Sequence, residues 1–135
     1  MLNKKSIKLV EDFIECIENS EGRHKLTQII STDCVSHGTC LGVEDVNTVV
    51  EMQSYIEKIH HAFSDFQIKI KDLFGDDERI CLRFEGQGIH DGNALFGVPA
   101  FNEEITYDSF NIFKVEDGKI KEHWGTSNLY QKMTS

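Results

Sequence analysis

Histidine is the side chain here best suited to proton transfer near neutral pH, because an imidazole pKa of ~6.5 lets the ring take up a proton and return it. The chain has 6 histidines. Three of them, His37, His90 and His123, lie far apart in sequence and on segments of different character. A general acid or base placed well against a substrate is typically worth ~10²–10⁴ in rate. Against each stands a plainer reading: His37 as a loop residue, His90 as a strand-end ring bonded to the Asp91-Gly92 turn, His123 as a core-edge ring bonded to backbone. His60 and His61 are neighbours on a helical pattern, so at most one of them faces the core. His24, within a charged run, is expected in solvent. Cys34, His37 and Cys40 have the look of three zinc ligands, but a closed structural site needs a fourth and none is suitably spaced, so no metal is expected. Phosphate loop, G-x-S-x-G elbow and HExxH are all missing from the sequence, which leaves nucleotide, serine-hydrolase and zinc-protease chemistries without their parts.

The elements that must position these side chains are legible from periodicity. Ile7, Val10, Phe13, Ile14 and Ile17 form a helical stripe that stops at Asn19-Ser20-Glu21-Gly22. A short second helix is predicted around Leu26, Ile29 and Ile30, then a short strand at Cys34-Val35. A longer third helix is predicted from about Asp45 to Phe63, carrying Val46, Val49, Val50, Ile56, Ile59 and Phe63. The period then changes to two: Phe66, Ile68 and Ile70, a turn at Gly75-Asp76-Asp77, and Ile80, Leu82 and Phe84 read as half-buried strands. Asp91 to Glu103 is a mixed loop. Ile105–Val115 and Lys119–Ser127 form a hairpin about Glu116-Asp117-Gly118. Helices first and antiparallel strands after indicate an α+β fold. By alternation His90 shares a face with Phe84, while Arg83 points the other way; Tyr107, Ser109, Asn111 and Phe113 share a face, with Glu104 and Asp108 opposite; His123 lies with Gly125 and Ser127.

With 135 residues, one proline and no linker-like stretch, the chain reads as a single domain. Its 14 Lys+Arg against 23 Asp+Glu leave a formal charge of -9, which sets nucleic acids and anionic membranes aside as partners. No apolar run approaches the ~20 residues of a membrane span, the N-terminus lacks a signal-peptide core, and the 4 cysteines include no CxxC. A cytoplasmic protein with reduced thiols is expected.

Tyr107 to Trp124 resembles the strand-turn-strand ending of SnoaL-like polyketide cyclases, within the nuclear transport factor 2-like superfamily. Phe63-Ser-Asp-Phe66 is similar to that family's helix-to-strand junction, and Gly88-Ile-His90-Asp-Gly92 to one of its strand ends. The resemblance, from about Ile7 to Tyr130, implies a cone: three N-terminal helices packed in a strongly curved, mainly antiparallel sheet with a pocket on the concave face. It implies a cofactor-free acid/base enzyme acting on a small apolar carbonyl compound by aldol-type cyclisation, isomerisation or dehydration. The alternative is a non-catalytic small-ligand-binding or dimerisation module. By the resemblance His37 stands where related isomerases place their general base, and His90 and His123 are acid/base or orienting partners. Asn111, where an Asp is common, can donate to an enolate oxygen but cannot carry protons; its plainer reading is a buried amide tying two strands. Phe13 stands where the isomerases carry an oxyanion-binding Tyr. Phe13, Phe84, Phe101, Tyr107 and Phe113 are the expected substrate-binding wall. With Arg83 turned away and no acid at Asn111, the Asp-Arg-Asp group of the epoxide-hydrolase branch is incomplete. The apolar loop Asn93 to Phe101 is expected to cover the mouth of the cone or a neighbouring subunit. A homodimer is expected through the outer sheet face, about Phe110, Ile112 and Trp124.

Overall fold

In a computed structural model that describes residues 2–19, 25–37 and 49–134, the chain is α+β. Its elements follow in the order α1 (Lys4–Glu18), α2 (Leu26–Ile29), β1 (Ile30–His37), α3 (Val49–Ala62), β2 (Phe63–Gly75), β3 (Arg79–His90), β4 (Glu104–Glu116), β5 (Lys119–Ser127) and α4 (Leu129–Thr134). The predicted start of the third helix, Asp45 to Thr48, and the turn residues Ser20 to Gly22 lie outside the described residues, as do His24, Cys40 and Val46.

Local chemistry explains the boundaries. Asn3 caps α1, its side-chain oxygen accepting the Ser6 N–H at 2.8 Å. The buried stripe of α1 runs through Leu9, Val10, Phe13, Ile14, Cys16 and Ile17, with Ile7 left outside it at 38% exposure. His60 reaches from α3 to the Ile17 carbonyl at 2.5 Å, tying the two long helices together, while His61 is exposed. Ile30 and Phe63, both read as helical in the sequence, are instead the first residues of strands. A chain can turn from helix to strand with no intervening loop when the next apolar residue is needed on a sheet. Just inside β2, Asp65 takes a left-handed conformation (φ 50°) where the β2–β3 register shifts between Ser64 and Gln67, a bulge. The β4–β5 hairpin closes on Asp117 and Gly118, both with positive φ, as a two-residue turn requires.

The five strands are ordered β1-β5-β4-β3-β2. All neighbours are antiparallel except β1, which runs parallel to β5. On β3 the alternation is complete: Ile80, Leu82, Phe84, Gly86, Gly88 and His90 are buried and the residues between them are half-buried. This face meets Val10, Phe13 and Ile17 of α1 and Ile56 and Ile59 of α3 in one apolar core. The short C-terminal α4, absent from the sequence reading, adds Leu129 and Met133 to it. The 91–103 loop returns to the body: Leu95 is buried, Phe96 stacks on Tyr55 with ring centres 6.1 Å apart, and Phe101 packs edge-on against His90 at 5.1 Å. No described helix is long and apolar enough to cross a membrane.

Candidate functional site

The parallel pairing of β1 with β5 sets Ser36 beside His123. β4 lies on the other side of β5 and brings Asn111 opposite Gly125 and Phe113 opposite His123. All of Ser36, His123, Asn111 and Ser109 point inward and are 4–6% exposed. Gly125 makes the arrangement possible: a Cβ there would stand 2.8 Å from His123 Cε1 and 3.2 Å from Asn111 Oδ1.

The hydrogen bonds fix the protonation pattern. Asn111 Nδ2 donates to Ser109 Oγ at 3.1 Å, so the amide oxygen is the atom facing His123 Nε2, at 2.8 Å. A carbonyl oxygen can only accept, so Nε2 carries the ring hydrogen. Burial pushes the His123 pKa down to about 4, with a smaller push in the same direction from His37. The ring is therefore neutral at pH 7 and its Nδ1 is a bare lone pair, which accepts the Ser36 hydroxyl hydrogen at 2.7 Å. The chain reads Ser36 hydroxyl to His123 to Asn111 to Ser109, and it spans three strands. Phe113 backs the imidazole, stacked at 5.0 Å with an interplanar angle of 21°.

These polar groups and Ser127 border a cavity of about 50 Å³, otherwise walled by Phe13, Ile17, Met52, Tyr55, Ile56, Ile59, Phe84 and Tyr107. Such a volume exceeds the ~10–15 Å³ that one water needs. Phe13, Phe84 and Tyr107 thus stand where the sequence placed them, as wall residues. Phe113 is one layer back, behind His123. Phe101 does not line the cavity; it lies over His90, because the 91–103 loop folds onto the end of β3.

His37 is corrected. It is not in the pocket. Its half-exposed ring donates to Glu122 Oε2 at 2.6 Å and stacks on Trp124 at 5.4 Å, on the outer face of the sheet. The reason is strand alternation. β1 is a full strand of eight residues, so Cys34 and Ser36 face in while Val35 and His37 face out. For the same reason Cys34 and His37 cannot share a metal ion, and among the described residues no group of three or more metal-ligating side chains converges. The signal for Ser36 was present in the sequence: period two continued from Cys34 selects it.

His90 does face inward and is fully buried, yet it does not meet His123. It sits between Phe63 and Phe101, its Nε2–H donating to the Asn93 carbonyl at 3.2 Å and its Nδ1 without a partner. The expected pairing of His37 with His90 about one substrate atom is therefore absent: the first is outside the sheet, the second in the wall beneath the loop. On the outer face Arg83 is held by Asp72, Nε to Oδ2 2.6 Å, turned away from the cavity as alternation predicted.

The sequence profile described as SnoaL-like polyketide cyclase matches residues 7–134. Among solved structures, TsrD from Streptomyces laurentii superposes with a TM-score of 0.82 at 18% identity, over 99% of this chain and 98% of that one. IdmH from Streptomyces antibioticus follows with 0.76 at 20% identity, over 97% and 96%. A LEH-like epoxide hydrolase from M. tuberculosis reaches 0.68 at 15% identity, over 95% and 86%. Among curated proteins none matches. At such identities the likeness carries the fold and leaves the chemistry to the site.

Proposed function

Because the chain belongs to the SnoaL-like polyketide cyclase family, we propose that it is an acid/base enzyme acting on a small apolar carbonyl compound, with His123 as its base. The observation that carries this is the neutral, doubly hydrogen-bonded imidazole on an apolar cavity. Aldol-type cyclisation, isomerisation and dehydration all begin by removing a proton beside a carbonyl, a step that needs a base and a donor to the enolate oxygen but no cofactor. Rotation of Ser36 about its Cα–Cβ bond hands His123 Nδ1 to that proton. Burial weakens the base, but an enolate forming beside it favours the imidazolium and restores basicity when the proton moves. Asn111 orients the ring through Nε2 and keeps a second amide hydrogen for the enolate oxygen; the Ser109 hydroxyl is a further donor. His90 and His37 have no part in the step. Cys16 and Cys34, buried and in no disulfide, suit a reducing cytoplasm.

The test is exchange of the central hydrogens of acetylacetone in D₂O, followed by proton NMR. We expect acceleration over buffer and a loss of about 10²-fold or more in His123→Gln. No acceleration by the folded wild type would rule the reading out. A second reading, a non-catalytic ligand-binding or dimerisation module, draws on the small cavity and on an outer-face groove of about 570 Å³ that includes Phe74, Phe110, Ile112 and Trp124.

That groove also supports a homodimer under either reading. Phe74, Phe110 and Ile112 are 61%, 50% and 41% exposed; Phe110 and Ile112 lie two apart on β4, and Cys81 of β3 stands between Ile112 and Phe74. A stable pairing would cover them and Trp124 with an interface above ~1,000 Å². Light scattering at micromolar concentration is expected to give twice the 15.4 kDa chain mass, and a 15.4 kDa particle would refute it.

A further inference from the structure

We infer that Ser36, His123 and Asn111 form a nucleophilic site able to hydrolyse esters of short acyl groups, with Ser36 Oγ as the attacking atom. The inference shares His123 with the proposed function but not its substrate or its reaction. The geometry is that of an activated nucleophile: a hydroxyl within hydrogen-bond reach of a base, and the base oriented by a third group. Here the hydroxyl is 2.7 Å from Nδ1 and the amide oxygen 2.8 Å from Nε2–H. The amide oxygen, not its NH₂, faces the ring, so the tautomer leaves Nδ1 free to take the serine proton. Three buried polar side chains from three strands, set with Ser109 and Ser127 in a wall otherwise made of aliphatic and aromatic side chains, need a reason beyond packing. Carrying one acyl group on a serine is such a reason.

The step balances without oxidant or cofactor. Ser36 Oγ bonds to the ester carbonyl carbon while its proton passes to His123 Nδ1. The bond from that carbon to the alcohol oxygen then breaks, and the departing oxygen takes the proton from Nδ1. Water attacks the acyl-serine, its proton passing to Nδ1 and on to Ser36 Oγ as that bond breaks, giving acid and alcohol. The Ser109 hydroxyl hydrogen, whose oxygen is already held by Asn111, is the donor placed in the wall for the oxyanion. A cavity of about 50 Å³ walled by Met52, Ile56 and Phe84 suits an acetyl or similarly short chain. An amide does not stabilise the imidazolium as a carboxylate does, so activated esters are the substrates to use.

The experiment treats the full chain with methanesulfonyl fluoride, whose transferred group is of acetyl size, and reads the intact mass and the modified peptide, alongside p-nitrophenyl acetate turnover. We expect one adduct, on Ser36. It should be absent in Ser36→Ala and formed about 10²-fold more slowly in His123→Gln, with turnover falling in parallel. As a second variant, Ser36→Cys is expected to be alkylated by iodoacetamide well before Cys16 and Cys34, whose thiols burial pushes up to about 11. A folded wild type with no Ser36 adduct, turnover unchanged in Ser36→Ala, or a folded Ser36→Cys that resists alkylation would each overturn the inference. Loss of acetylacetone exchange with the adduct intact would count against the proposed function alone, and the converse against this inference alone.

Discussion

Phe113→Ala is expected to cost about 3–5 kcal/mol of stability, the range for deleting a fully buried aromatic ring from a packed core. Phe113 has no exposed surface; it meets Phe13 edge-on at 5.0 Å and His123 face-on at 5.0 Å. Its neighbours belong to α1, β4 and β5, so the space left behind cannot close by moving one element. A second consequence follows at the site. The ring is the apolar sheet against which the imidazole is desolvated, and water admitted in its place lowers the penalty on the imidazolium. The His123 pKa should therefore climb from about 4 back toward 6.5. Urea unfolding at pH 7 measures the first effect and NMR titration of the His123 Cε1 proton the second. A loss below 1 kcal/mol with the titration unmoved would show that Phe113 supports neither the core nor the site.

Acidification from pH 6.5 to 4 is expected to remove roughly 3 kcal/mol through His123 alone. The folded ring resists protonation until about pH 4, whereas the unfolded one titrates near 6.5. Between those values the unfolded state holds more protons, so stability rises with pH. The contribution is complete above 6.5, is lost as pH falls through the window, and changes no further below 4. Asp33, held down to about 2 by hydrogen bonds from Lys121 and Ser31, adds a loss that begins near its unfolded pKa of ~3.9, at the acid end of the window, and is shared by wild type and variant. Urea midpoints for wild type and His123→Gln at pH 7, 5.5 and 4 isolate the effect. The variant starts less stable, because Ser36 and Asn111 lose the imidazole between them, but its stability should fall less across the window. Parallel curves would mean that His123 is protonated in the fold at no cost.

The architecture and much of the cavity wall are legible in the order of residues. Helical and two-residue periods are set by where side chains must point to reach a core, and they are written locally. Hence α1, α3, the four long strands, the inward faces of Phe84, Tyr107, Asn111 and His123, the outward face of Arg83 and the SnoaL-like identity were all legible in it. What needed the tertiary structure was the partnership of residues far apart in the chain. The extension of β1 to His37, and its parallel seat against β5, arise from hydrogen bonds to a strand more than eighty residues later. That pairing decides that Ser36 faces in and His37 faces out, because moving one position along a strand changes the face. The fold of the 91–103 loop over the end of β3 likewise gave His90 a backbone carbonyl and Phe101 as neighbours in place of His123. Local pattern shows which way a side chain points; only long-range pairing chooses what it meets there.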